Sequence, residues 1–425
     1  MKRNLLRGAA ALSLLAGARG VLAQLPDPSA ASVGLGNNYL ARARGFAAPA
    51  WNPANLGLSG NPRLSFTILP VRGAADVGPI SLSDVAQYGG AQLPDAVRDG
   101  WMARIEANGG QRGQLGGGIT YVALSARRFA FQLSTAADGE VNLAPDAVEA
   151  ILYGNVGRTG TSRELRMEGS KLSAAVTTTA AVSYARAIDF VQGRLSIGVT
   201  GKYIVGNALV HGQDRGSRIA AGAAGVDVRF PVVMSDSGSP FGSHGSGVAL
   251  DLGAAWEAGP LSGGVVLQNM VSTFAWNTSD FVYRPIEAFY GTDSSYSSTD
   301  VTLPLDSAPA DVREWVSDQR YNPTLAVGGA VHVSRKLIVS ADARGQLKRG
   351  MRSADRSHVG VGAELRLIPF VPLRFGGAMI PRGHLLSVGV GLEAGPANIN
   401  FGVQSRTVGN QSAPGAALAV SFGTR

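Results

Sequence analysis

The sequence of 425 residues contains no cysteine, which excludes disulfides, thiolate nucleophiles and cysteine-ligated metals. Charged residues make up only 16% of the chain and aromatic residues only 7%, whereas glycine is abundant at 57 residues. No apolar run beyond the N-terminus reaches the roughly 20 residues that a membrane-spanning helix needs, because glycine, serine and charged residues interrupt each one. A protein that stays in a membrane without such helices must be a closed β-barrel.

The N-terminus has the three parts of a cleavable export signal. Three basic residues among the first seven precede a short apolar stretch, residues 8–16, and a Val-Leu-Ala sequence ending at Ala23 suits cleavage before Gln24. We therefore expect residues 1–23 to be a signal peptide; a helix of a soluble core is the alternative. Their removal takes away four bases and no acid, which lowers the net charge from +8 to +4. This mild charge gives no reason to expect nucleic acid as a partner.

Apolar and polar residues alternate with a period of two along most of the chain. The alternation is clearest in six stretches after residue 335, and eight more lie upstream. The upstream strands are predicted at Arg63–Val71, Gly113–Ser125, Arg128–Ala137, Lys171–Arg186, Arg194–Leu209, Gly247–Glu257, Leu261–Phe274 and Asn322–Ser334. The sequence thus predicts an all-β fold of about fourteen antiparallel strands.

The ionisable residues of the C-terminal strands fall on the polar face only. They carry both signs: Asp342, Arg344, Glu364, Arg366, Arg374 and Glu393. In a membrane barrel this face lines a polar lumen, while a charge on the lipid face costs about 2–4 kcal/mol at mid-membrane. A soluble β-sandwich would show the same alternation. However, short connections alternate with long ones here, as periplasmic turns and extracellular loops do in outer-membrane barrels. We therefore expect a transmembrane barrel of residues 62–425 in the outer membrane.

The long connections are predicted to be extracellular loops that carry small helices. A ribbon-like stretch, Arg218–Val233, is assigned to the third of these loops. In the first loop, the helical pattern of Pro94–Ala107 places Val97, Trp101 and Ile105 on one face. This face is a candidate groove for an apolar ligand. Alternatively, the helix faces pack on one another and cap the barrel.

Residues 24–61 precede the first strand and show no strand pattern of their own. They are rich in small residues, asparagine and proline, with two arginines, Arg42 and Arg44. A barrel of about fourteen strands encloses more space than its own side chains fill. We expect this segment to be a plug in the lumen, with its arginines paired to inward-facing acids.

Leu40–Leu58 resembles the N-terminal hatch of the long-chain fatty-acid transporter (FadL-type) family of outer-membrane barrels. The resemblance lies in an Ala/Arg/Gly stretch followed by the motif Trp51-Asn52-Pro53-Ala54. The extended form Asn-Pro-Ala-Asn-Leu also resembles a less characterised branch of barrels with this hatch. The resemblance implies a monomeric channel, without cofactor, for passive uptake of fatty-acid-like hydrophobic molecules. Outer-membrane lipid and lipopolysaccharide are its expected surroundings.

Enzymatic activity is not expected from this sequence. The five histidines are scattered without an HExxH motif, and the glycine-rich stretches lie inside predicted strands rather than between a strand and a helix. The alternative function is a non-transporting barrel that serves as a secretion partner or surface scaffold. Two roles stay open for Asn52-Pro53, where proline fixes the backbone and disfavours helix before it. The bend either couples loop-bound ligand to pore opening or simply turns the chain into the first strand.

Overall fold

The computed structural model describes residues 25–89, 92–154, 157–161, 163–221, 225–236, 242–290, 296–299, 301–348, 350–351, 357–381, 383–408 and 411–424. The predicted signal peptide, residues 1–23, lies outside the described residues. Among those described, no helix is long and apolar enough to cross a membrane.

Fourteen antiparallel strands close into a barrel, which confirms the fold class predicted from the sequence. They are β1 (Leu64–Ile68 and Val71–Gly78), β2 (Gln111–Ala126), β3 (Phe129–Leu143), β4 (Lys171–Phe190), β5 (Gly193–Gln213), β6 (Gly245–Ala258), β7 (Leu261–Ser272), β8 (Thr324–His332), β9 (Leu337–Gln346), β10 (Ser357–Ile368), β11 (Val371–Ile380), β12 (Gly383–Ala394), β13 (Ala397–Val408) and β14 (Gln411–Thr424). Each strand pairs with the next, and β14 pairs back with β1 through the pair Phe66↔Phe422 and its neighbours.

The first strand is longer than predicted and is interrupted once. It continues to Gly78, whereas the sequence predicted a loop after Val71. At the interruption, Leu69 has a φ of 54°, and the following proline has no N–H to donate. The register to β14 shifts there by one residue, from Thr67↔Ser421 to Val71↔Leu418. Strand pairing therefore resumes after the proline and extends seven residues beyond the predicted end at Val71.

The two ends of the barrel differ as the alternation of connection lengths predicted. Two-residue turns at 127–128, 191–192 and 259–260 lie at one end, and the long loops lie at the other. In the described part of the chain, the long loops contain four helices, and the N-terminal segment contains two. In chain order the helices are α1 (Ala30–Gly34), α2 (Ala48–Trp51), α3 (Leu82–Gln87), α4 (Asp95–Ala107), α5 (Pro145–Tyr153) and α6 (Ala310–Ser317).

The loops also form a small sheet outside the barrel. Its five strands are Leu165–Arg166, Arg218–Ile219, Val226–Arg229, Glu287–Tyr290 and Tyr296–Thr299. The predicted ribbon at 218–233 contributes two of these strands, while its last two residues, Val232 and Val233, join the sheet of the barrel wall. A further short strand, Val232–Ser235, pairs with the loop end of β5 and with Phe281–Arg284.

The outer face of the wall is apolar and carries few aromatic rings. Tyr121, Tyr184, Tyr203, Trp256 and Phe375 lie on this face with 38–53% of their surface exposed. Along each wall strand, alternate residues point inward and are buried against the segments that fill the lumen. This two-faced wall suits a membrane barrel, whose outside meets lipid and whose inside is polar.

Candidate functional site: the filled lumen

Residues 25–61, here called the plug, fill the lumen of the barrel. Nearly every residue from Leu25 to Leu58 is buried, although the segment has little regular structure. Besides α1 and α2 it contains only two short 3-10 helices, Gly45–Ala47 and Pro53–Gly57. Small side chains let this irregular chain lie close to the wall. Its backbone polar groups are satisfied partly by turns within the segment, as where Ala43 N–H donates to the carbonyl oxygen of Tyr39, and partly by side chains of the barrel.

Asn52 joins the plug to two wall strands. Its side-chain Nδ2 donates to the carbonyl oxygens of Ala254 on β6 and Val265 on β7, at 3.0 and 3.3 Å. Its Oδ1 accepts from the N–H of Ala54 at 3.0 Å and so caps the 3-10 helix that begins at Pro53. Asn52 is fully buried. One amide thus fixes both the local bend and its contact with the wall.

Glycines in the wall make room for this bend. A Cβ at Gly253 would lie 2.0 Å from Asn52 Oδ1, and one at Gly264 would lie 2.7 Å from Asn52 Nδ2. A Cβ at Gly198 would lie only 2.3 to 2.6 Å from backbone atoms of Pro53 and Ala54. The inward glycines of β5, β6 and β7 are therefore required for close approach of the plug backbone.

The other side of the plug meets a second set of wall glycines. A Cβ at Gly376 would lie 2.1 Å from the carbonyl carbon of Leu35, and the Cα of Gly389 would lie 2.8 Å from a Cβ at Gly34. Ser387 Oγ donates to the carbonyl oxygen of Gly34 at 3.1 Å. The plug backbone is thus docked on β11 and β12 as closely as on β5 to β7.

A charge cluster ties the plug to β10 and β11. Glu364 accepts from Arg374 Nε at 2.8 Å, from Arg366 Nε at 2.9 Å and from Arg42 Nη2 of the plug at 3.0 Å. Glu364 and Arg374 are almost fully buried. Arg366 also pairs with Glu393 at 2.7 Å. Four of the six predicted lumen charges therefore lie in one network with Arg42.

The remaining predicted charges contact the plug in other ways. Asp342 Oδ2 accepts from the backbone N–H of Leu40 at 2.8 Å, and the guanidinium of Arg344 lies 5.6 Å from the ring centroid of Trp51. Arg44 does not join the predicted ion pairs, since its Nη1 donates to the carbonyl oxygens of Ala41 and Ala43. Arg44 curls back on its own turn because those carbonyls lie one and three residues before it.

An apolar cluster, here called the cap, lies at the loop end of the lumen. It comes from residues 274–284 and 303–321, whose buried side chains meet Ile204 and Leu209 of the wall. Three edge-to-face aromatic pairs lie within it, Phe274–Trp276, Phe274–Tyr321 and Trp276–Phe281, with centroids 5.1 to 5.8 Å apart. Tyr321 shares a hydrogen bond of 2.8 Å with Thr177 of β4.

A cavity of about 430 Å³ lies between the cap and the wall strands β3, β4 and β5. On the cap side it is lined by Trp315 of α6, whose indole stacks on the imidazole of His211 with centroids 3.9 Å apart. On the wall side, Ser173 Oγ lies 2.7 Å from His211 Nδ1. Its volume falls in the range of about 300–1,000 Å³ typical of small-molecule sites.

The predicted ligand groove on α4 is closed by packing. Ile105 is fully buried and Trp101 is 8% exposed, in a cluster with Val148 of α5 and with Val97 at its edge. The helix faces pack on one another, which is the alternative that the sequence left open. Nearby, Asp84 Oδ1 pairs with Arg104 at 3.2 Å and joins α3 to α4. A hydrogen bond from Ser81 lowers the pKa of Asp84 to about 2.

Comparisons with known proteins identify the fold. A model of a family of unknown function (DUF5723) matches residues 80–278, and no curated protein matches the chain. The toluene transporter TbuX of Ralstonia pickettii superposes with a TM-score of 0.52 at 16% identity, over 95% of this chain and 99% of that one. The toluene transporter TodX of Pseudomonas putida gives 0.51 at 10% identity, over 95% and 99%. A TodX deltaS2S3 mutant, a monoaromatic hydrocarbon channel, gives 0.55 at 11% identity, over 94% and 99%.

The chain has the FadL-type barrel fold. This likeness spans nearly the whole described chain, whereas sequence identity is low throughout. Inside this barrel the plug docks on wall glycines and is tied to the Glu364 cluster, and a cavity lies beside the cap.

Sequence reasoning missed two contacts between side chains inside this barrel. Lys202 Nζ lies 2.6 Å from Asp251 Oδ1, and both side chains are 2% exposed. Their polar-face positions on β5 and β6 were a usable signal, because alternation puts both inside. The contact between His211 and Trp315 carried no such signal. Trp315 belongs to a loop helix, and the position of that helix over the wall depends on the tertiary structure.

Proposed function

We propose that this chain is an outer-membrane channel for passive uptake of hydrophobic small molecules. The observation that carries the proposal is an apolar cap folded into the loop end of the lumen, with a ligand-sized cavity against it. Apolar surface removed from water contributes about 25 cal/mol per Å², so such a mouth favours transfer of a hydrophobic molecule out of water. The fold of two toluene transporters supports the proposal.

The plug is the barrier that a ligand must pass after the cap. It is held by Asn52 on β6 and β7 and by Arg42 on Glu364 of β10. We infer that ligand in the cap region shifts the Asn52-Pro53 bend and opens a route past the plug. Fatty-acid-like compounds, implied by the hatch resemblance, and small aromatic compounds, suggested by the transporters of the same fold, are the substrate classes to compare.

Export and insertion are part of the same proposal. We expect a monomeric mature protein that starts near Gln24 and fractionates with outer membrane in contact with lipopolysaccharide. Folded membrane barrels migrate differently on gels before and after heating, so heat-modifiable mobility is the measurement. Recovery of soluble protein from the periplasm, or a purified chain that retains residues 1–23, would contradict this assignment.

The decisive experiment compares probe uptake by vesicles that contain the folded barrel and its variants. Labelled octanoate and labelled toluene are the probes, and protein-free vesicles give the background rate. We expect uptake above background for the wild type and a changed rate for the double variant Asn52→Ala, Pro53→Ala. Gly201→Ala is the control, because a Cβ at Gly201 meets no atom within 4 Å. A folded double variant with the wild-type rate makes the motif a structural turn.

The non-transporting scaffold keeps one observation in its favour. Glu364 has three guanidinium groups around it, one of them from Arg42 of the plug, and this arrangement fixes the plug in the lumen. If neither probe enters wild-type vesicles faster than protein-free ones, uptake is rejected and the scaffold role is preferred. Capture of a defined partner protein on the external loop sheet would then be the next measurement.

A further inference from the structure

We propose that the cavity beside the cap binds small aromatic molecules that carry a hydroxyl or amine group, in preference to plain hydrocarbons or fatty acids. The inference rests on the proposed function, because it names the class of molecule that the channel would collect at its mouth. It follows from three features of the cavity: a pair of stacked aromatic rings in its lining, hydrogen-bonding side chains in the same lining, and a limited volume.

The aromatic part of the lining is the stacked pair of His211 and Trp315. The two rings lie 3.9 Å apart between centroids with an interplanar angle of 13°. The imidazole is held by the hydroxyl of Ser173 at 2.7 Å from Nδ1, and the indole is held by α6, whose Val312 and Val316 are buried in the cap. Aromatic rings bind one another in offset-stacked or edge-to-face arrangements, contributing about 0.5–1.5 kcal/mol beyond area burial. A preorganised pair of this kind suits a planar ligand better than a flexible chain.

The lining of the cavity also offers polar groups. Lys171 Nζ pairs with Glu140 Oε1 at 3.1 Å, and the two side chains are 39% and 21% exposed. An ammonium group has three donors and one ion pair uses only part of them, so Lys171 can also donate to a ligand oxygen. The side-chain amides of Gln213 and Gln319 line the same space. A hydroxyl or amine on the ring would find donors and acceptors there.

These polar groups select against other hydrophobic molecules. A plain hydrocarbon would take water away from them without returning a hydrogen bond, and such unpaired polar groups are costly. A fatty acid would bring its carboxylate beside the carboxylates of Asp138, Glu140 and Asp318, opposed by a single lysine among the described lining residues. The apolar part of the lining, Ala175, Leu209 and Met351, remains for the ring itself.

The experiment measures binding to the folded full chain in detergent, by titration calorimetry, with phenol, aniline, toluene and octanoate as probes. One lost hydrogen bond in a buried site corresponds to about a tenfold change in affinity. We therefore expect phenol and aniline to bind at least about tenfold more tightly than toluene, and octanoate to bind no better than toluene. Toluene or octanoate binding as tightly as phenol would overturn the inference, as would absence of saturable phenol binding.

Two variants separate the polar groups from the stacked aromatic pair. Lys171→Met should bring the phenol and toluene affinities together, whereas Trp315→Leu should weaken both. Lys336→Met, in an exposed turn at the opposite end of the barrel, is the matched control and should change neither. Heat-modifiable mobility identifies any variant that fails to fold, and Trp315→Phe is the milder replacement. If folded Lys171→Met still binds phenol in preference to toluene as the wild type does, the role of the polar groups is refuted.

Binding and uptake fail separately in this design. Phenol binding without uptake in vesicles would leave the site intact and reject the channel. Uptake of toluene or octanoate by a protein that does not bind phenol would leave the channel intact and reject the site.

Discussion

The plug and the cap fill the same lumen by opposite physical means. The plug lies with its backbone against wall glycines and is fixed by directional bonds, such as those of Asn52 and Glu364. The cap is a cluster of aromatic and aliphatic side chains with few polar contacts, of which the Tyr321–Thr177 hydrogen bond is one. Directional contacts lose their energy when shifted by a fraction of an ångström, whereas apolar contacts are non-directional and can be exchanged. The cap is therefore suited to rearrange around a ligand, and the plug to hold one position until displaced.

The comparison predicts its largest effect at the charge cluster of the plug. Glu364→Ala would leave Arg42, Arg366 and Arg374 without their shared carboxylate. Removing one partner of a buried ion pair costs about 3–5 kcal/mol, because the remaining charge is uncompensated. We expect the free energy of unfolding in urea to fall by this amount. Heat-modifiable gel mobility measures the folded fraction at each urea concentration.

Glu393→Ala is the matched control for this change. Among the described residues, Glu393 forms an ion pair with Arg366 only; Glu393 is 26% exposed, and Arg366 keeps Glu364 when Glu393 is removed. We expect a much smaller loss in the free energy of unfolding than for Glu364→Ala. Equal losses for the two variants would mean that the cluster does not fix the plug.

A glycine substitution in the wall tests whether the plug is held by backbone fit. Gly198→Ala places a Cβ within 2.3 Å of the Ala54 nitrogen, where neither backbone can give way easily. Overpacking of this kind typically costs about 1–3 kcal/mol, and here it should also displace the plug. We expect lower stability and faster passage of a hydrophilic dye into vesicles.

Gly201→Ala serves as its control on the same strand. A Cβ at Gly201 has no neighbour within 4 Å, since this position faces outward. Stability and dye passage should stay at the wild-type values. Equal behaviour of the two alanine variants would refute close docking of the plug on β5.

The cap should respond more weakly, and its change should alter uptake of a hydrophobic probe rather than passage of a hydrophilic dye. Tyr321→Phe keeps the ring in its apolar cluster and removes the 2.8 Å hydrogen bond to Thr177. The expected cost is about 0.5–1.5 kcal/mol, with faster uptake of a hydrophobic probe because the cap is loosened. Tyr203→Phe, on the lipid-facing side, is the control. Slower uptake in Tyr321→Phe would mean that the cap is as rigid as the plug.

The smallest effect is expected in the loop helices, at the Asp84–Arg104 pair. The folded-state pKa of Asp84 is lowered to about 2 by its hydrogen bond from Ser81, against about 3.9 for an unperturbed aspartate. The stabilisation that ionised Asp84 gives the folded state is therefore present above about pH 4 and is lost as the pH falls toward 2. For a pair this exposed it is about 0–1 kcal/mol.

Fluorescence of Trp101 on α4, followed between pH 6 and 2, measures this loss. Asp84→Asn should remove the pH-dependent step between about pH 4 and 2. A step that persists unchanged in the variant would assign it to another group.

The sequence by itself determined the architecture of this protein. A period of two assigned most wall residues to a face, so that Asp342, Glu364 and Arg374 were expected inside before any contact was known. The even strand number and the alternation of short and long connections followed from the same pattern. These features are local, since backbone geometry sends successive side chains to opposite sides of a strand.

Only the tertiary structure decided what the inward residues do. Arg42 and Glu364 are more than three hundred positions apart, and no spacing in the chain indicates that they meet. The same holds for Gly198 beneath Ala54 and for Trp315 over His211. Alternation specifies the side of the wall on which a residue lies, but a lumen is filled by segments remote in sequence. Its contacts therefore depend on how the plug and loops fold into the closed barrel.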